Sequence, residues 1–237
     1  MNTLTRIALA LAAIVFAQGA LAQMGAHGTA YQAVKVAEAR RENAALMHHY
    51  TWNTRTEIIV KGEVKDTRIE QVQYGAGGEL QHNLLNDHPA DASAPPLPIG
   101  FLIKKAVAAQ EKQELEKFLH GMKTLLQQYT LPTTGKILDF LSSATPSGPD
   151  ARGLFQLSGF NVVQPGDNLS LWVNPWTRHL QRAKVSTTFQ GAAVELDAHF
   201  QTLHESGLNY VAFAEATVPA KQLSVKVQNY NYARLAY

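Results

Sequence analysis

Histidine and the acidic residues are the side chains of this sequence whose types and spacing are best suited to chemistry. The chain has nine histidines, including the pairs His48-His49 and His82 with His88. Neighbouring side chains point to opposite faces of a strand and diverge by about 100° on a helix, so His48 and His49 do not converge on one ion. We therefore interpret these histidines as solvent-exposed and predict no metal site.

Glu195, Asp197 and His199 form a second polar group, spaced by two residues along the chain. Residues with this spacing share one face of a strand, where they can bind a cation weakly or simply face solvent. Because charged residues are mostly exposed in folded proteins, we favour the solvated face.

Signatures of catalysis are missing from the sequence. There is no cysteine and no Gly-x-Ser-x-Gly motif. The glycine-rich segment Gly75-Ala76-Gly77-Gly78 precedes no helical pattern, so it predicts a hairpin turn rather than a phosphate-binding loop. We predict no catalytic residues and no cofactor, and we expect a protein that is not an enzyme.

The first 22 residues are typical of a cleavable signal peptide. One basic residue, Arg6, precedes the apolar run Ile7 to Phe16, and small residues follow at Ala20 and Ala22. An apolar run of about 10 residues is roughly half of what a membrane-spanning helix needs, so a permanent anchor is the weaker alternative. We expect a mature chain that begins at Gln23, has no integral membrane segment and works in the periplasm.

The composition narrows the classes of partner. The 21 basic and 19 acidic residues nearly balance and are scattered, so nucleic acid is not an expected partner. Without cysteine the chain has no disulfides, and its stability must come from its hydrophobic core.

Periodicity predicts helices and strands in a definite order. A helix is expected over 28–48 and three strands between Tyr50 and Leu85, after which the proline-rich segment 86–98 is a linker or an exposed loop. Apolar residues at three- and four-residue steps then predict a long amphipathic helix over about 99–128, followed by a short second helix before Pro146. Further strands are expected at 154–160, 168–174, 179–189, around 194–200, 208–218 and 222–232.

The strand around 194–200 has the clearest pattern. Val194, Leu196, Ala198 and Phe200 alternate with polar residues, so one face is buried and the other solvated. We predict an α+β fold: a strongly curved antiparallel sheet, or incomplete β-barrel, in one domain over 23–237. The helical insertion at about 99–143 is expected to act as its lid or plug, because a curved sheet must cover its apolar face.

A short motif suggests a family. The segment from Leu169 to Thr177, LSLWVNPWT, is followed by the strand Ala183 to Phe189, and the order of elements over 30–232 resembles the LolA/LolB-like superfamily of periplasmic lipoprotein carriers. Asn174 stands where that family more often has aspartate. The resemblance implies a half-barrel that holds acyl chains in an apolar cavity under a helical lid. It also implies a lid-latching arginine, for which Arg55 and Arg68 are the candidates.

Two functions are therefore expected as alternatives. The first is a periplasmic binding or carrier protein for a lipid or other apolar ligand; the second is an envelope protein whose filled half-barrel recognises protein partners. For the first, we predict cavity and lid residues at Trp52, Leu102, Phe118, Leu119, Met122, Leu126, Trp172 and Phe200. The tryptophans are alternatively core residues, since large aromatic side chains near strand ends commonly fill cores.

Overall fold

The computed structural model describes residues 29–85, 99–131 and 133–235. The predicted signal peptide and the linker 86–98 lie outside the described residues. In the N-terminal part of the insertion helix the backbone is described but the side chains are not, from residue 99 to 112.

Three helices and ten strands make up the described chain. The helices are α1 (Thr29–Met47), α2 (Ile99–Gln128) and α3 (Thr134–Ser143). The strands are β1 (Tyr50–Val60), β2 (Glu63–Tyr74), β3 (Leu80–Leu84), β4 (Thr145–Ser147), β5 (Phe155–Phe160), β6 (Asn168–Val173), β7 (Leu180–Phe189), β8 (Ala192–Thr202), β9 (Asn209–Val218) and β10 (Leu223–Arg234). A 3₁₀ turn at Pro219–Lys221 joins β9 to β10.

All ten strands form one antiparallel sheet, and the predicted α+β class is confirmed. The order across the sheet is β3-β2-β1-β10-β9-β8-β7-β6-β5-β4. The first strand in the chain, β1, therefore pairs with the last, β10, in the interior of the sheet. The edge strands β3 and β4 do not pair with each other, so the sheet is not closed into a barrel. We expected five or six strands after the helical insertion, and the structure has seven. The additional strand is β4, whose three residues include Pro146, a residue that favours turns and sheet edges.

One face of the sheet is apolar along a continuous row. Opposite residues in antiparallel strands share a face. The registers place Ile58, Val225, Ala216, Leu196, Val185 and Leu169 side by side from β1 to β6. We call the face that carries this row the inner face. Each of the six side chains is buried.

The second half of α2 lies against the inner face. Its residues Phe118, Leu119, Met122 and Leu126 are buried in the same core cluster as the apolar row. Gly121 permits a close approach here, since a Cβ atom on it would lie 2.4 Å from the ring of Phe189. No helix in the ranges described is both long and apolar enough to cross a membrane.

The C-terminal end of α2 is fixed by buried polar contacts. The hydroxyl of Tyr129 donates to Asp167 Oδ2 at 2.6 Å and accepts from Thr187 Oγ1 at 2.7 Å. From α1, Arg40 donates to the carbonyl oxygens of Thr130 and Leu131 at 2.8 and 2.6 Å. Carbonyl groups at the end of a helix have no partner within it, and the guanidinium supplies one just beyond this helix.

Alternation in β8 is as predicted: Val194, Leu196, Ala198 and Phe200 are buried, whereas Glu195, His199 and Gln201 are exposed.

Replacement of Phe200 by alanine is expected to lower the free energy of unfolding by roughly 3–5 kcal/mol, through lost burial and a residual cavity. Urea unfolding measures this change. Glu195→Ala on the exposed face of the same strand is the control, and a loss below about 1 kcal/mol for Phe200→Ala would contradict its place in the core.

Candidate functional site

The inner face changes character from one edge to the other. On β5 to β9 it is apolar and covered by α2 and α3. On β1 to β3 the register continues the same face through Thr56, Glu70 and His82, since Thr56 lies opposite Val227, Glu70 opposite Thr54, and His82 opposite Val72. We call Thr56, Glu70 and His82 the inner polar patch.

Burial of this patch is nearly complete. Glu70 is 1% exposed, Thr56 is 4% exposed, and the side chain of His82 is 15% exposed. His82 Nδ1 lies 3.9 Å from Glu70 Oε2, which is too long for a hydrogen bond. In the described chain Thr56 Oγ1, Glu70 Oε1 and both ring nitrogens of His82 have no hydrogen-bond partner.

Such atoms are costly to bury. A buried polar group without a partner destabilises a fold by about 1–3 kcal/mol, and native proteins carry only a few of them. Four of the five buried side-chain atoms without a partner in the described chain belong to this patch. Their concentration on three adjacent strands indicates a site rather than scattered packing defects.

Electrostatics favour uncharged forms of Glu70 and His82. Burial raises the pKa of Glu70 above its ordinary value, with Arg68 opposing the shift and Asp66 adding to it. Burial also lowers the pKa of His82, and the ammonium of Lys123 lowers it further. Lys123 belongs to α2, so its influence places the helix close to the patch.

An ion pair, Arg68 with Asp66, lies beside the patch on the same face of the sheet. Arg68 lies opposite Thr56, and its Nε donates to Asp66 Oδ2 at 3.0 Å. Arg55, the other candidate for a lid-latching arginine, is exposed and forms an ion pair with Glu57. Of the two arginines, Arg68 is therefore the one on the inner face.

The predicted cavity and lid residues fall into three places. Phe118, Leu119, Met122, Leu126 and Phe200 share the main core cluster between α2 and the sheet. Trp52 belongs to a second cluster, where its ring lies 6.1 Å from that of Tyr74 and 5.6 Å from that of Tyr232. The side chain of Leu102 lies outside those described.

Trp172 lies on the opposite face of the sheet. Leu169, Leu171 and Val173 of β6 are buried on the inner face, so Trp172 between them points outward. Its ring stacks with the guanidinium of Arg182 at 5.1 Å. The structure therefore separates Trp172 from the other predicted ligand-binding residues.

The same outer face carries the trio of Glu195, Asp197 and His199. The Asp197 carboxylate accepts two hydrogen bonds from Arg182, one of them from Nε at 2.8 Å, and it lies 3.3 Å from His199 Nε2. Asp197 is thus paired with a cation of the chain itself. In the described ranges no three or more His, Cys, Asp or Glu side chains are grouped so that they could hold a metal ion.

An open groove of about 670 Å³ lies at one end of α2 and the sheet. It runs between the helix and three turns that join neighbouring strands, at Lys61, Gln190 and Lys221, and Phe118 and Lys117 of the helix form part of its wall. The ammonium of Lys221 lies 4.7 Å from the centre of the Phe118 ring. Solvent in this groove reaches the edge of the apolar contact between α2 and the inner face.

Sequence reasoning missed the inner polar patch, and its interpretation of His82 as solvent-exposed is wrong. The strand Glu63–Tyr74 has apolar residues on both faces, Ile69 on one and Val72 on the other, so its period does not reveal which face is buried. The one available signal was a charged residue, Glu70, two positions before Val72 on the same face.

Comparisons with known proteins concern the fold. No protein-family model and no curated protein matches the chain. Among solved structures, a DUF1329 family protein from Desulfovibrio piger is 14% identical with a TM-score of 0.45, covering 88% of this chain and 92% of that one. A LolA superfamily protein from Nitrosomonas europaea is 12% identical with a TM-score of 0.35, covering 83% and 92%.

The raised pKa of Glu70 predicts a pH-dependent effect of Glu70→Gln on stability. Above the ordinary pKa of about 4.5, the unfolded chain releases this proton while the folded chain retains it until its raised pKa is passed. The folded state then binds more protons, so this group makes the wild type less stable as pH rises through that window. The amide does not titrate, so the stability of Glu70→Gln relative to wild type is expected to increase from pH 4.5 upward.

Urea unfolding of both proteins between about pH 4 and 8 measures this difference. Glu195→Gln, on the exposed outer face, is the matched control for the change from carboxylate to amide itself. A difference between Glu70→Gln and wild type that stays constant with pH would contradict the assignment.

Proposed function

We propose that this protein binds a lipid or other apolar ligand on the inner face of the sheet, beneath α2, and carries it within the cell envelope. The observation that carries the proposal is the composition of this face: a broad apolar surface under a helix, bordered on the same sheet by a buried polar patch. A ligand with an apolar chain and a polar end matches both parts.

The attachment of α2 supports a lid. Tyr129 and Arg40 fix the C-terminal end of the helix, and Leu131 just beyond it has a φ of 49°. Phe118, Leu119 and Met122 contribute apolar packing against the sheet, and such packing is non-directional. Movement about the fixed end would expose the inner face to a ligand.

A specific observation favours the alternative of a filled half-barrel that recognises partners. The stripe on α2 packs directly on the sheet, with Leu119 and Leu126 almost completely buried. A ligand must therefore displace this helix rather than enter a space already formed beneath it. Binding of an apolar probe distinguishes the two functions, because a permanently filled half-barrel binds none.

A cross-link that holds α2 on the sheet is expected to abolish uptake of an apolar ligand. Lys117→Cys on α2 and Lys221→Cys on the 3₁₀ turn face the same groove, and the chain has no other cysteine. A bismaleimide with an internal disulfide would join them and be cleaved by reductant. The probe is the fluorescent dye N-phenyl-1-naphthylamine, expected to bind wild type at about one per chain.

The control joins Ser186→Cys to Glu195→Cys, which lie opposite each other on exposed positions of β7 and β8. This link does not involve α2, so dye uptake should persist, and uptake by the first variant should return on reduction. Undiminished uptake with α2 linked would disprove the lid. Failure of folded wild type to bind the dye would favour partner recognition.

We also propose that the chain is exported and works in the periplasm after removal of residues 1–22, as a binding protein rather than an enzyme. The support is the order of basic, apolar and small residues before Gln23. Intact-mass measurement of protein from the periplasm of an expressing bacterium is expected to give a chain beginning at Gln23. Retention of residues 1–22 would refute the export proposal.

A further inference from the structure

The inner polar patch has a hydrogen-bonding capacity that the fold does not use. Thr56, Glu70 and His82 come from three adjacent strands and face the same side of the sheet. Glu70 is 1% exposed, and its Oε1 has no partner among the described residues. An unpartnered carboxyl oxygen at this depth, beside an unpartnered imidazole and hydroxyl, indicates a place for a ligand's polar atoms.

The neighbouring charges argue against a charged ligand. An ammonium group in the patch would approach Lys123 and Arg68, whereas a phosphate or carboxylate would approach Asp66, the acceptor of the hydrogen bond from Arg68. Burial disfavours either charge further unless it is paired. The surroundings therefore offer neither sign of charge a clear counterion.

The uncharged forms of the three side chains are mutually similar in hydrogen bonding. A protonated carboxyl, a neutral imidazole and a hydroxyl each offer one donor and at least one acceptor. A hydroxyl group is likewise both donor and acceptor. Hydroxyl groups of a ligand would therefore match the patch in kind, whereas a purely apolar end would leave its atoms unpaired.

We infer that Thr56, Glu70 and His82 bind an uncharged head group that carries hydroxyls, on a ligand whose apolar chain lies beneath α2. The inference rests on the proposed function and specifies its ligand class. The ligand is a neutral amphiphile of the acylglycerol type, and Lys123 on α2 lies close to its head group when the helix closes.

A set of amphiphiles that share one lauryl chain tests the inference. Monolauroylglycerol, laurate and dodecylammonium differ only in the polar end, and displacement of N-phenyl-1-naphthylamine gives their relative affinities. Monolauroylglycerol is expected to bind wild type most tightly. Glu70→Leu is expected to weaken it about tenfold or more, since the variant keeps a similar volume without polar atoms. Glu70→Gln is expected to retain most of the affinity, because an amide both donates and accepts.

Two further variants guard against a general loss of folding. Gln71→Leu makes a comparable change at the next residue, which is exposed on the outer face, and should leave the order of affinities unchanged. His82→Phe, at the other end of the patch, is expected to weaken monolauroylglycerol while the protein retains a cooperative thermal unfolding transition.

Each other result is decisive. If dodecylammonium binds most tightly and its binding is lost in Glu70→Gln, Glu70 acts as a charged partner and the inference is overturned. Tightest binding of laurate would overturn it as well. Equal affinities for all three amphiphiles, unaffected by Glu70→Leu, would overturn the inference and leave the proposed function intact. No binding of any amphiphile or of the dye by folded wild type would refute the proposed function itself.

Discussion

Pairing of β1 with β10 is the interaction on which the rest of the structure depends. It joins three strands from the beginning of the chain to the sheet formed by the last third, with a register from Tyr50 opposite Arg234 to Val60 opposite Leu223. A buried hydrogen bond crosses this seam from Thr54 Oγ1 to Asn229 Oδ1 at 2.7 Å, and Asn229 also donates to the carbonyl oxygen of Val211. Without this pairing, the apolar face and the inner polar patch would belong to separate sheets.

The pairing of β1 with β10 also determines which surface the helical insertion covers. In the chain, α2 lies between β3 and β4, which are the two edge strands of the sheet. The helical insertion therefore connects the two opposite edges. A helix with that connection must pass over one face, and the apolar stripe from Phe118 to Leu126 selects the inner one. The same path brings Lys123 near His82 at the first edge and Tyr129 to Asp167 and Thr187 on the other side.

Sequence periodicity predicted the elements well and their arrangement less well. The alternation of Val194 to Phe200 fixes a buried face, and the bounds of α2 agree with the prediction because its apolar stripe is long. Alternation does not name a strand's partner, so the pairing of β1 with β10 was not foreseen. Trp172 was proposed for a cavity by its aromatic character, although Leu169, Leu171 and Val173 already placed it on the opposite face.

The candidate site was less predictable still, because its signal is an exception to the pattern. A period of two identifies a buried face by its apolar residues, and Glu70 occupies such a position with a carboxyl group. Stability alone does not explain this residue, since an apolar side chain there would avoid the cost of burying unpartnered atoms. The apolar half of the inner face supplies the packing that a fold without disulfides requires. The stability from that packing lets the fold tolerate a polar half whose buried atoms have no hydrogen-bond partner among the described residues.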